Sequence, residues 1–210
     1  MLRRVATGKY RRDLVRMYRL LQKLPVNDAT TCLGNLLTHT VVEIDRYINS
    51  RRKSVYLLAA LVRNVFEICL IVEYILRSRD NLRDWIGQRV SDEIGILNSA
   101  RLLSVVPNDT DWIDAEIQKL KARAAKQDIQ ESRYRLPSYY SKHLGRGSEY
   151  EKFYGLFSKF IHPSSWVINE DKKRIETADV FQTIFARKTK QYLDEILGHV
   201  ATYISSRIAT

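Results

Sequence analysis

From Ser54 to Leu76 the chain is almost continuously apolar (SVYLLAALVRNVFEICLIVEYIL), with no Gly and no Pro. As a helix at ~1.5 Å per residue it would be about 35 Å long. Apolar residues fall on nearly every face, the pattern of a helix buried on all sides. A run this long could span a bilayer. However, Arg63, Asn64, Glu67 and Glu73 sit inside it, and charges at that depth in lipid cost several kcal/mol. The pattern therefore predicts the central helix of a soluble bundle.

The flanking stretches carry helical periods. Tyr10, Leu14, Met17, Leu21 and Leu24 recur at spacings of three and four and predict a helix over 9–24, ended by Pro25. Leu33, Leu36, Leu37, Val41, Ile44 and Ile48 predict a second over 28–49. Beyond the central helix, a turn at 78–81 leads to a helix over 82–106, with Trp85, Ile86, Ile94, Leu97 and Leu102 inward. Gly87 and Gly95 mark close packing or weak points in it. Pro107 to Thr110 breaks the chain before a helix over 111–133, with Trp112, Ile113, Ile117, Leu120 and Ile129 inward. Residues 134–147 read as irregular. Ser148 and Glu151 have the spacing of a capping box and open a helix to about 161. A polar linker over 164–176 precedes a last helix over 178–208. No segment alternates with period two, so no sheet is predicted. The expectation is all-α: one helical domain over 1–210, about seven helices around 54–76, with a loose basic arm at 1–8.

Charge adds a direction. The 210 residues carry 35 Lys and Arg against 24 Asp and Glu, a net charge of +11, which favours an anionic partner. The excess is concentrated: residues 1–53 hold twelve Lys or Arg and four Asp or Glu. Arg12, Arg16, Arg19 and Lys23 form a line along the first helix, and Arg51, Arg52 and Lys53 follow the second. These seven are the candidate nucleic-acid contacts, although a basic line is also what a solvated helix face looks like. Cys32 and Cys69 sit among apolar neighbours, too few and too far apart for zinc spacing, and read as free thiols of a reducing cytoplasm. No secretory signal is recognisable at the N-terminus.

The candidate chemistry lies where polar residues are expensive. Arg63 and Glu67 are four apart and share a helix face. Tyr150, Tyr154, Ser158 and His162 are also spaced by four and form a polar-tipped line beside the packing side of their helix. Buried Tyr and His need partners for their polar tips, and the Arg63–Glu67 face of the central helix is the natural one. A histidine can take or give a proton near neutral pH, and an arginine can steady a phosphoryl oxyanion. Arg63, Glu67, Ser158 and His162 are thus the candidate catalytic residues, with Asn64, Tyr150 and Tyr154 as the supporting network. No metal-ligand spacing, nucleotide-binding Gly loop or cofactor motif appears.

Taken together, R-x-x-x-E at Arg63 to Glu67 and Y-x-x-x-Y-x-x-x-S-x-x-x-H-P-S at Tyr150 to Ser164 resemble a bacterial all-helical domain family of unknown function. The resemblance covers roughly 30–205. It implies an all-α fold with those residues grouped, and no particular activity. A looser resemblance is to the HEPN superfamily of helical bundles, many of them toxin or defence ribonucleases. Their signature places Arg four to six residues before His. Here Arg135 and His143 have seven between them, so Arg63 and His162 would have to meet in space instead.

Two functions follow. One is an effector that binds or acts on RNA or nucleotides, a HEPN-like, metal-independent ribonuclease of a toxin or defence system. The alternative is a non-catalytic helical interaction module with a structural polar network, meeting an acidic protein; a homodimer is compatible with either. Neither calls for a cofactor. The first requires Arg63, Glu67 and His162 to be reachable by solvent, the second requires them sealed.

Overall fold

The computed structural model describes residues 7–50, 54–103, 111–162, 164–177 and 179–209. Every regular element among them is helical, and the fold is all-α. The chain forms two compact units, one of Met1–Leu76 with Pro137–Thr210, the other of Arg77–Leu136. The Arg51–Lys53 cluster, residues 1–6 of the expected 1–8 arm and the 107–110 break lie outside the described residues; Thr7 and Gly8, the end of that arm, are instead the first turn of a helix.

In the first unit, α1 (Thr7–Leu21) packs against α2 (Asp28–Asn49). Asn27 caps α2 by the reciprocal route: its side chain accepts from the Thr30 amide while the Thr30 hydroxyl accepts from the Asn27 amide. Central helix α3 (Val55–Arg77) lies within one residue of its predicted bounds. Val55, Leu58, Val62, Val65, Phe66, Cys69, Leu70 and Val72 lose essentially all exposure, and α3 is covered on nearly every face. Length and composition would let α3 cross a membrane; here its apolar faces are buried against protein. Its neighbours declare themselves by ring contacts. Phe66 stacks on Tyr192 of α11 (Asp179–Ile208) at 4.6 Å. Tyr74 meets Tyr140 of α6 (Pro137–His143) edge-on at 5.0 Å.

Helix α6 corrects the expectation of an irregular segment over 134–147. Pro137 supplies the fixed φ that suits a first helical position. The helix stops in a Schellman turn: Gly145 takes φ 74°, its amide donates to Lys142, and the Arg146 amide donates to Ser141 at 2.7 Å. The chain then re-enters a helix at once, so the expected capping box does not form and Ser148 lies inside the first turn. Residues 147–161 run as α7 (Gly147–Glu149), a π turn (Tyr150–Tyr154) and α8 (Gly155–Ile161). The supposed linker also contains helices, α9 (Ser165–Asn169) and α10 (Lys172–Thr177).

In the second unit, α4 (Arg79–Leu103) and α5 (Asp111–Lys126) pack together. Helix α5 ends seven residues short of its predicted end. Asp128 adopts φ 53° and the Ile129 amide returns to the Ala124 carbonyl at 2.9 Å, closing the helix in a left-handed turn. Residues 127–136 then run back along α4. There the Ser91 hydroxyl donates to the Ser132 carbonyl and the Arg135 amide to Gln88. Gly87 is the contact point, since a Cβ there would strike the Gln130 carbonyl oxygen. Gly95 has no such neighbour. Leu102 and Trp112, expected inward, are exposed, because this two-helix unit has too little depth to cover both.

Candidate functional site

Two arginines organise the polar chemistry of the first unit, on adjacent faces of α3. Arg63 comes from α3 itself. Its Nε donates to Glu67 at 3.2 Å, its Nη2 to the Tyr154 hydroxyl at 2.6 Å, and its Nη1 lies 3.2 Å from His162 Nε2. Residues ninety-one and ninety-nine positions apart are thereby joined. Arginine carries no acceptor, so His162 Nε2 must accept. Two of the five guanidinium N–H groups have no acceptor among the described residues. The Arg63 side chain remains 22% exposed and that of Glu67 28%, while His162 is exposed. The group is open to solvent on one side.

The helical segment 147–161 delivers the tyrosines. A π turn is rare and less stable than the α geometry around it. Here it coincides with YEKFY, and within it the rings of Tyr150 and Tyr154 stack at 4.5 Å and 18°. Tyr154 hydrogen-bonds both Arg63 and Glu67. Burial and then the Glu67 charge push its phenol up to about 12, so it stays protonated. Tyr150 is also raised, by burial and Glu67, and its hydroxyl is held by Ser138 and Tyr154. Burial alone would weaken the Arg63 charge. Its bonds to Tyr154 and Glu67 reverse the effect, and its pKa lies above the ordinary arginine value.

His162 reaches Arg63 because it leaves α8 with extended backbone, φ −93° and ψ 151°. This is the conformation that a following proline imposes, here Pro163. Ser164 then caps α9 by accepting from the Val167 amide. Ser158 takes part through its backbone, its carbonyl accepting from the His162 amide at 3.0 Å.

Asn64 turns the other way. It donates to Glu43 of α2 at 2.8 Å, a nearly sealed carboxylate that also holds Arg46 at 2.5 Å. Consecutive residues on a helix point about 100° apart, so Asn64 belongs to the α2 interface and not with Tyr150 and Tyr154. Arg12, Arg16 and Arg19 on α1, and Lys23 just past its end, are all exposed, and none forms an ion pair among the described residues. Arg11, beside them, is tied to Asp45 at 2.7 Å. His199 is half-buried on α11. Cys32 and Cys69 are not disulfide-bonded; the first is half-buried and the second fully buried.

The second arginine, Arg146, was not singled out by the sequence reading. It bonds Glu149 at 2.7 and 2.9 Å, Glu73 of α3 at 3.3 Å and Glu195 of α11 at 2.9 Å, with only 15% of its side chain exposed. Its guanidinium also lies against the rings of Phe66 and Tyr192. Lys188 and the Tyr192 hydroxyl both donate to Glu149 at 3.0 Å. Burial would raise the Glu149 carboxyl, but the bonds from Arg146 and Lys188 bring it below the usual value. The Cys69 thiol donates to Glu195 at 3.2 Å. Burial, then that carboxylate, raises its pKa, so it stays a thiol. The available signal was Glu73, a carboxylate inside a hydrophobic run that needed a cation, with Arg146 set between two glycines nearby in the fold. Among the described residues no group of three or more His, Cys, Asp or Glu side chains is placed to hold a metal ion.

Comparison with known proteins gives the chain a family. The model of the family of unknown function DUF5677 matches residues 47–182, a span that contains Arg63, Glu67, Tyr150, Tyr154, Arg146 and His162. The chain belongs to that family. No curated protein and no solved structure matches the chain.

Proposed function

We propose that this member of a family of unknown function acts on RNA in the cytoplasm, binding a phosphodiester at Arg63 and cleaving it beside His162 without a metal. The observation that carries the reading is the 3.2 Å contact between Arg63 Nη1 and His162 Nε2 on a guanidinium that keeps two unclaimed N–H groups and access to solvent. A guanidinium beside an imidazole, from residues distant in sequence, is the pairing that the HEPN-like resemblance called for, and it supports reading Arg63 as an anion anchor.

A phosphate drawn to the open N–H groups competes for Arg63 and frees the His162 lone pair. His162 Nε2 then removes the proton of the ribose 2′-hydroxyl. O2′ attacks phosphorus, the O2′–P bond forms and the P–O5′ bond breaks, leaving a 2′,3′-cyclic phosphate. Arg63 neutralises charge on the non-bridging oxygens. The Tyr154 hydroxyl is a weak acid but a stronger one than the departing alcohol. It supplies the proton to O5′, and solvent returns the proton from His162 to Tyr154. Glu67 holds Arg63 and Tyr154 in register. The exposed line Arg12, Arg16, Arg19 and Lys23 would attract the rest of the strand. A toxin or defence role is what such cleavage would serve.

The reading is tested by incubating total RNA and tRNA in chelator with the unaltered chain, His162→Ala and Arg63→Gln, each checked by thermal melt. Cleavage that both variants lose while melting near the parent supports it. No cleavage by any form, with both variants melting far lower, overturns it. That outcome favours the interaction-module reading, for which the saturated Arg146 cluster is the supporting observation.

A further inference from the structure

The proposed phosphate site has one part that cleavage chemistry does not use. The Arg63 guanidinium carbon lies 4.8 Å from the centroid of the Tyr154 ring, and that ring stacks on Tyr150 at 4.5 Å. Arg63, Tyr154 and Tyr150 thus form a short column. One end carries the open N–H groups of Arg63. The other is the Tyr150 ring, which is half-buried and has no ring neighbour besides Tyr154 among the described residues. Hydrogen bonds to Ser138 and Tyr154 fix its hydroxyl edge, so the plane is set before any ligand arrives. Burial and the Glu67 charge keep it a neutral phenol, which does not repel a polyanion.

Building on the phosphodiester reading, we infer that Tyr150 is a nucleobase-stacking subsite and that the ligand is single-stranded RNA. A single strand carries flat rings and phosphates in alternation along its length, so one base can stack on the aromatic plane at one end of the column while the phosphate of a neighbouring nucleotide meets the cation at the other. Base-on-aromatic stacking tolerates any sequence because every base has a π face. In a duplex the bases are already stacked on each other and are unavailable to a side chain, so the platform selects strands, loops or ends whose bases are splayed. The π turn then has a use: it sets two tyrosines four residues apart into a parallel stack that continues from the cation to the ligand.

The test measures binding of the full chain by fluorescence anisotropy to a short 2′-O-methyl RNA, which lacks the nucleophilic hydroxyl. The same strand with abasic sites and the same strand as a duplex are measured in parallel. The unaltered protein is expected to prefer the base-bearing single strand to the abasic one by about tenfold. Tyr150→Leu should remove that preference, Tyr150→Phe should keep it, and Arg63→Gln should weaken both strands alike. Equal binding of base-bearing and abasic strands, or a preference for the duplex, overturns the subsite while leaving the phosphate reading intact. Failure of the unaltered chain to bind any of the three overturns both. If Tyr150→Leu does not fold, the abasic comparison on the unaltered protein and on Tyr150→Phe still decides. A nucleoside 3′-monophosphate competing as well as the strand would instead assign the platform to free nucleotides and overturn the RNA assignment.

Discussion

Arg63 and Arg146 touch the same helix and make opposite bargains with it. Arg146 is surrounded by three carboxylates drawn from α3, α7 and α11, with Lys188 as the second cation. The cluster is closed and slightly over-supplied with negative charge. Arg63 has a single carboxylate; its other partners are a phenol and an imidazole. The two side chains differ only modestly in exposure, so burial does not separate them. Saturation does. An anion approaching Arg146 meets carboxylates, while one approaching Arg63 meets unclaimed N–H groups.

The largest effect that would break this comparison is on stability. Arg146→Met leaves Glu73, Glu149 and Glu195 half-buried without their common cation. Removing one partner of a buried ion cluster costs about 3–5 kcal/mol; for a chain of this size that lowers the melting temperature by roughly 10 °C. Arg63→Gln, which strands one carboxylate rather than three, should cost about 1 kcal/mol. Equal melting losses would mean that both arginines are scaffold. In the second unit, Gly87→Ala should cost about 2 kcal/mol, because overpacking against backbone cannot be relieved by a rotamer change.

The pH dependence of the Arg146 cluster sharpens the same contrast. Glu149 has a folded-state pKa below its ordinary value. Its contribution is therefore fully present above the unfolded-state pKa, about 4.3, and is lost as pH falls through the depressed folded value. Glu149→Gln should be destabilised relative to the parent at pH 7, and the gap in melting temperature should narrow progressively below about pH 4. A gap that stays constant into acid would show that Glu149 contributes packing and not charge.

How far the sequence announced these regions follows from the forces involved. Helix α3 was legible because a 23-residue helix buried on nearly every face leaves an unmistakable apolar run. Arg63 and Glu67 were legible for the same reason, as polar exceptions within it. The line Tyr150, Tyr154, Ser158, His162 was visible as a period of four, and the contact of His162 with Arg63 fitted the expected helix pairing. The π turn was not legible, since apolar periodicity does not distinguish one π turn from the α geometry on either side of it. Arg146 escaped because its placement depends on the left-handed turn at Gly145, which ends a helix the composition had read as loop. Asn64 was assigned to the wrong neighbours because adjacency in sequence is separation around a helix.

The smallest expected effect concerns the outer surface and has its control built in. Arg11 and Arg12 are neighbours on α1, but Arg11 is bound to Asp45 while Arg12, with Arg16, Arg19 and Lys23, faces solvent without an ion pair among the described residues. If that line follows a phosphate backbone, each charge removed should weaken RNA binding without changing sequence preference. It should also reduce the slope of log affinity against log salt by about 0.7 for a single strand. Arg16→Gln should show this, as should Arg12→Gln, and the two should add. Arg11→Gln alters the formal charge by the same amount, yet its charge is already compensated by a carboxylate, so the slope should stay where it was. Equal changes for Arg11 and Arg16 would mean that only the overall net charge of +11 attracts the polyanion, and that α1 offers no track for it.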